Sequence, residues 1–287
     1  MALIAPAGPI RSDEEMDRAL GNARHLGWDV VVGAHARDRT GYLAGSDADR
    51  LADLNHAAAD DSVDGVWCLR GGFGSMRLLD GIDYAAWRRR PKSLLGYSDI
   101  TALHAAIGSR ASIVTFHGPT ARSDLTPFSL ESLRRAVTLR IESCGVAPAA
   151  LTLFPGRALG RLVGGNLALL SALAGTPYAP WVDGALLVLE DVNESVYRID
   201  RMLTQLRLSG MLERCAGIVF GGFTDVPPEA GDDERPLQLV LEEFASTVRL
   251  PCLANAPIGH LTDYWTVPLG AVGLLDAEAK SLTIDRT

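Results

Sequence analysis

No apolar run in this 287-residue chain approaches the roughly 20 residues that cross a bilayer, so no membrane helix is predicted. The start, Met1-Ala2-Leu3-Ile4-Ala5-Pro6-Ala7, lacks the basic region of a secretory signal and runs straight into a strand-like stretch. Clustered positive charge is also missing: the formal net charge is −8, and the only basic run, Arg88-Arg89-Arg90, reads as a solvated helix end. That balance excludes the electrostatic footprint of a nucleic-acid binder. The four cysteines (Cys68, Cys144, Cys215, Cys252) are far apart with no C-x-x-C spacing, and are expected to be reduced and mostly buried in a cytoplasmic protein. No H-E-x-x-H, paired-histidine spacing or Cys/His cluster occurs, so no metal site is expected. Nor does any G-x-G-x-x-G or phosphate-gripping loop with Lys-Ser/Thr, and no cofactor is expected. Internal repeats and low-complexity tracts are absent.

What is present is alternation. Leu3–Ala5, Trp28–Val32, Gly65–Leu69, Ser93–Leu95 and Ile113–Phe116 are short and rich in strand-forming residues. Helix patterns lie between them: Ser12-Asp13-Glu14-Glu15 fits a capping box before Met16–Leu26, and Ser46 precedes Asp47–Ala59. This order predicts an α/β fold with a mainly parallel sheet, whose ligands gather at the carboxyl ends of the strands. Prolines 119, 127, 148 and 155 punctuate the middle of the chain around one helix candidate, Leu130–Ile141. We therefore expect a first domain over 1–125, a linker over 126–157 and a second domain over 158–287, with a cleft between the domains. In the second, Ala185–Leu189, Ala216–Phe220 and Cys252–Ala254 read as strands, Gly222–Pro236 as an exposed loop, and Val267–Ile284 as short antiparallel strands.

Four stretches carry candidate chemistry. In Leu95-Gly96-Tyr97-Ser98-Asp99-Ile100, a strand runs through glycine and serine into a helix pattern. Such a turn lifts a hydroxyl above the sheet and aims backbone N–H groups at an oxyanion. The final glycine of G-x-S-x-G is replaced by Ile100, and Ser98 or Asp99 as a plain helix cap is the alternative. Arg70-Gly71-Gly72-Phe73-Gly74 follows a buried strand; its glycines let backbone approach a ligand and offer oxyanion donors, or merely make a tight turn. Leu189-Glu190-Asp191 ends an apolar strand with two acids, either catalytic or capping. His260 follows Gly259 in a loop, free to enter a cleft or to be structural; His117 is its rival at the ligand edge. A weak serine nucleophile needs a base, and the base an orienting acid, so the order Ser98, Glu190, His260 just beyond three strands describes a triad assembled across a domain interface.

Those stretches, with Leu3-Ile4-Ala5-Pro6-Ala7-Gly8-Pro9, Gly164-Gly165-Asn166-Leu167, Tyr197-Arg198-Ile199-Asp200-Arg201-Met202 and Gly259-His260, resemble the LD-carboxypeptidase family in the family's own order from residue 3 to 270. The resemblance implies a flavodoxin- or amidotransferase-like N-terminal α/β domain and a β-rich α+β C-terminal domain. It implies a metal-free serine peptidase with Ser98 as nucleophile, His260 as base, Glu190 as orienter, and the N–H groups of Asp99 and Gly72 as oxyanion hole. Arg70 and Gly71 are candidate substrate-binding residues. Family members are commonly cytoplasmic homodimers that release D-alanine from murein tetrapeptide during cell-wall recycling. The same fold and triad also serve peptidases that inactivate microcin C by cutting an amide beside an acylated nucleotide; a non-catalytic two-domain protein that clasps a small ligand is the other alternative. Ala7, where many members carry serine, and Phe73, where tyrosine is frequent, depart from the pattern without touching the triad.

Overall fold

A computed structural model describes residues 1–228 and 235–284. Five short parallel strands build the first sheet: β1 (Ala2–Ile4), β2 (Val31–Val32), β3 (Gly65–Cys68), β4 (Ser93–Gly96) and β5 (Thr115–His117). Burial on both faces explains their continuous apolar runs: every residue of β1, β3 and β5 is buried. The crossover helices are α1 (Asp13–His25), α2 (Asp47–Ala59), α3 (Tyr84–Arg89) and α4 (Thr101–Ala111). Ser12 caps α1 by accepting from the Glu15 N–H, and Ser46 caps α2 by accepting from the Asp49 N–H. The Glu15 carboxylate does not close the capping box on Ser12; it accepts from the Arg11 N–H at 2.8 Å and pairs with Arg122.

The stretch from 126 to 157 contains α5 (Pro127–Leu133), a π-helical turn over Arg134–Leu139, and strands β6 (Gly145–Val146) and β7 (Leu151–Phe154). Both strands hydrogen-bond into the second sheet, with β6 on β14 (Ser281–Ile284) and β7 on β11 (Cys252–Ala254). The centre of that sheet is parallel: β8 (Arg157–Asn166), β9 (Leu186–Val192), β10 (Gly217–Thr224) and β11. Helices α6 (Leu167–Leu173), α7 (Val196–Leu208) and α8 (Leu237–Val248) accompany it, and β13 (Val272–Asp276) and β14 continue it antiparallel from β8. Of the Gly222–Pro236 stretch, the first residues extend β10 to Thr224, and 229–234 lie outside the described residues.

One strand crosses back. β12 (Val267–Leu269) pairs antiparallel with β5 and closes the edge of the first sheet, giving it six strands in the order β12-β5-β4-β3-β1-β2. The C-terminal part of the chain is thereby built into the N-terminal sheet, and the seam between them is packed. Thr101 at the start of α4 accepts from the Asn166 N–H at the end of β8. Gly165 makes the approach possible: a Cβ there would lie 2.5 Å from the Thr101 Oγ1.

Candidate active site

The strand-to-helix turn after β4 has the strain expected of an exposed nucleophile. Ser98 sits at φ +64°, in the left-handed region that non-glycine residues rarely occupy. Neither Ser98 nor Asp99 caps α4: its N-cap is Ile100, with no side-chain hydrogen bond. Ile100 also explains the broken glycine motif. Its side chain is fully buried against Gly96, where a Cβ would come within 3.0 Å of it, so the small residue the turn needs is on the strand side. The Asp99 carboxylate, buried and pushed above its ordinary range by desolvation, accepts from the Ser75 N–H at 2.8 Å, while the Ser75 hydroxyl donates to the Asp99 carbonyl at 2.5 Å. Two bonds thus tie the serine turn to the glycine loop after β3.

That loop packs directly on the serine. A Cβ on Gly71 would lie 2.8 Å from the Ser98 Cβ and 3.1 Å from its Oγ. Its carbonyl accepts from the Gly8 N–H at 2.9 Å, and buried Arg50 donates to the Pro6 and Gly74 carbonyls, clamping the loops after β1 and β3 together. The N–H groups of Gly72 and Asp99 donate to no protein acceptor among the described residues, which leaves both for a ligand. Arg70 is half-buried beside Gly8, and its Nη1 donates to the Pro9 carbonyl at 3.0 Å.

Across the cleft, β9 carries Glu190, fully buried, and the loop after β11 carries His260. The His260 Nδ1 lies 2.7 Å from the Glu190 Oε2. A carboxylate only accepts, so Nδ1 donates in this contact, and in the neutral imidazole Nε2 is then the acceptor nitrogen. Gly259 permits this contact: it sits at φ +99°, and a Cβ there would come within 2.4 Å of the Glu190 Oε2. Asp191, the other acid of the pair, does cap a helix, but an earlier one. It accepts from the Ala168 N–H at the start of α6, from Asn166 Nδ2 and from Val192 N–H, and burial raises its pKa to about 6.

The rival histidine is inside. His117 is buried with neither ring nitrogen hydrogen-bonded, its Nε2 3.8 Å from the Glu190 Oε1, and desolvation holds its pKa well below the usual histidine range. His104 lies behind it, its pKa lowered to about 4 by burial, with Nε2 bonded to the Gly96 carbonyl at 2.8 Å. The structure therefore brings Glu190 to His260 and not to any other base at hydrogen-bond distance. Ser98 and His260 are joined through Tyr97, whose ring centroid is 4.7 Å from that of His260 and which stacks on Tyr264 at 5.8 Å. No hydrogen bond links the Ser98 hydroxyl to the imidazole, and such bonds commonly tighten only with substrate present.

Sequence reasoning missed Tyr97, Tyr264 and Arg122, which line the cavity next to His260. Arg122 lies five residues beyond β5, at the same ligand edge that singled out His117, and that was the available signal. Among the described residues one group has metal-like spacing, His35, Asp38 and Asp49; there both ring nitrogens already face carboxylates, at 2.9 and 3.9 Å, and the Asp38 hydrogen bond raises the His35 pKa as in an ordinary ion pair.

Two family profiles match the chain: the LD-carboxypeptidase N-terminal domain over residues 1–118 and the LD-carboxypeptidase C-terminal domain over residues 159–275. A probable murein peptide carboxypeptidase of Bacillus subtilis (strain 168) is 38% identical over 99% of this chain and 91% of its own length. Among solved structures, a muramoyltetrapeptide carboxypeptidase from Oxalobacter formigenes superposes with a TM-score of 0.88 at 30% identity, covering 99% of this chain and 97% of that one. An MccF-like protein from Bacillus anthracis superposes with a TM-score of 0.88 at 26% identity, over 100% and 96%.

Proposed function

Because the chain belongs to the LD-carboxypeptidase family, we propose that it is a serine hydrolase that releases the terminal D-alanine of murein tetrapeptide by cutting the bond from an L-centre. The observation that carries the reading is the 2.7 Å contact between the His260 Nδ1 and the fully buried Glu190, with the His260 ring 4.7 Å from that of Tyr97, the residue before a serine held at positive φ.

In this reading the nucleophile comes from a domain over 1–125 and the acid and base from one over 158–287. His260 Nε2 takes the Ser98 proton as the hydroxyl oxygen bonds to the substrate carbonyl carbon. The resulting oxyanion accepts from the Asp99 and Gly72 N–H groups, each worth on the order of 3 kcal/mol in comparable hydrolases. The C–N bond then breaks, and His260 returns the proton to the leaving amine. Water repeats the sequence on the acyl-enzyme, its proton passing through His260 back to Ser98. Glu190 keeps the imidazole in one tautomer and stabilises its charged form. Arg70, which has no carboxylate partner among the described residues, offers its charge to a substrate carboxylate, and Gly71 keeps the space beside Ser98 open. A cytoplasmic homodimer acting in peptidoglycan recycling is part of the same reading. No helix among the described residues is long and apolar enough to cross a membrane, and light scattering on the purified protein reads the dimer.

The test is to incubate the protein with murein tetrapeptide and with a D,D-linked pentapeptide and to weigh the products. D-alanine released from the tetrapeptide alone supports the reading, and cleavage of the pentapeptide alone sinks it. The likeness to the MccF-like protein favours a second substrate class, an amide beside an acylated nucleotide, and supplying that compound in parallel separates the two.

A further inference from the structure

The His260 side of the cleft opens into a cavity of about 470 Å³ whose wall includes Tyr97, Arg122, Ser123 and Tyr264. Acyl transfer dictates which part of a substrate meets that wall. The imidazole that accepts the serine proton returns it to the leaving amine, so the departing residue lies against His260. In an exopeptidase that residue bears a free carboxylate.

Arg122 is built into the wall. The side-chain amide of Asn22 donates to both carbonyls flanking it, Ala121 at 2.8 Å and Ser123 at 2.9 Å, and the Ala121 N–H donates to the Cys68 carbonyl at 2.9 Å, tying the turn to the end of β3. Of the five N–H bonds of the guanidinium, the structure gives an acceptor only to Nη1, which meets the Glu15 Oε1 at 3.0 Å. Nε is buried with no partner. Nη2 has no acceptor among the described residues and is not buried, so it is the group open to a carboxylate. Arg18, also on this wall, is already paired with Asp124 at 2.6 Å. Arg70 has its pKa lowered, first by burial and then by the charge of Arg122; an anion between the two guanidiniums relieves that repulsion.

We propose that Arg122 is the specificity residue that receives the free carboxylate of the leaving residue, with Arg70 as the second positive charge, so that a blocked or extended C-terminus is rejected. The inference rests on the hydrolase reading above.

Two tetrapeptides that differ only at the C-terminus, free acid and carboxamide, test it. The wild-type protein is expected to prefer the acid by about 100-fold in kcat/KM, because a site made to bind a charged group is left unpaired by the amide. Arg122→Gln should bring the two peptides to within about tenfold, losing rate on the acid alone, and Arg122→Lys should restore part of the preference. A folded Arg122→Gln protein, checked by its melting curve, that keeps the full acid preference overturns the proposal. So does a wild-type protein that cleaves both peptides equally well, an outcome that leaves the hydrolase reading standing. If neither peptide is cleaved the hydrolase reading falls, and calorimetry with N-acetyl-D-alanine against its amide reads Arg122 alone: acid preference lost in Arg122→Gln supports it, and no discrimination by wild type overturns it.

Discussion

The two sheets contribute to the cleft by different physical means. The first supplies backbone: a serine at positive φ, N–H groups without protein acceptors, and glycines that keep Cβ atoms out of the way, all in loops tied by Asp99–Ser75 and Arg50 contacts. The second supplies a side-chain pair: a carboxylate from a fully buried strand position and a loop imidazole whose orientation that carboxylate sets. Strain and local turn geometry make the first half. Burial and a long-range contact make the second, so the two halves should fail differently when perturbed.

The largest effect is expected from Ser98→Ala. With the proposed nucleophile gone, steady-state D-alanine release should fall by about four orders of magnitude or more, while thermal unfolding stays close to wild type because alanine keeps the same backbone strain. Near-normal turnover in the variant would remove Ser98 from the reaction. Glu190→Gln should cost about 10³–10⁴ in kcat, because an amide facing Nδ1 favours the wrong tautomer while preserving shape. Binding of a product peptide, measured by calorimetry, should be little changed; comparable losses in kcat and in binding would mean that Glu190 holds the fold rather than the base.

Glycine substitutions sharpen the contrast. Gly71→Ala puts a methyl 2.8 Å from the Ser98 Cβ and should lower kcat/KM by about 100-fold through displacement of Ser98, with a modest change in melting temperature. Gly259→Ala strains a φ of +99° and drives a Cβ into Glu190, so it should lose about 2 kcal/mol of stability in addition to activity. Equal loss of stability in both variants, read by urea titration, would erase the distinction between the two halves.

No effect at neutral pH is expected from the last contrast, the pH dependence of the seam between them. His104 has a folded pKa of about 4 against an ordinary value of 6.5, and burial lowers that of His117 in the same direction. The folded protein therefore binds these protons less readily than the unfolded chain. These two histidines cost no stability above pH 6.5; as the pH drops toward 4 His104 costs about 1.4 kcal/mol per pH unit, and His117 acts in the same direction. Asp191, with its pKa raised to about 6, acts in the opposite sense below that pH, so the comparison is between proteins: the fall in urea midpoint from pH 7.5 to 4.5 should be smaller in His104→Asn than in wild type, and an equal fall in both would assign the acid sensitivity elsewhere.

Much of this was readable in the chain. The strand positions of the first sheet follow from short β-branched runs between capped helices, and β3, β4 and β9 fall on the runs read as strands. Ser98, Gly71 and Gly72 were visible because a strand followed by glycine and serine is a local pattern. Other features depend on residues far apart in the chain. Ile100 in place of the motif glycine looked like a defect until its packing against Gly96 was seen, and the two acids at 190 and 191 were indistinguishable until one turned to His260 and the other to the start of α6. Residues 126 to 157 read as a linker because prolines dominate their pattern, yet they contribute two edge strands to the second sheet.

By itself, then, the sequence determined what local propensity and short-range pattern encode: parallel strands, capped helices, a serine on a sharp turn, and acids and a histidine at strand ends. The tertiary structure decided which of three buried or half-buried histidines meets the acid, that β12 crosses into the first sheet, and that Arg122 shares a wall with His260. The physical reason is distance along the chain. Those contacts join residues some 70 to 150 positions apart, and only the packing of the two sheets brings them within reach.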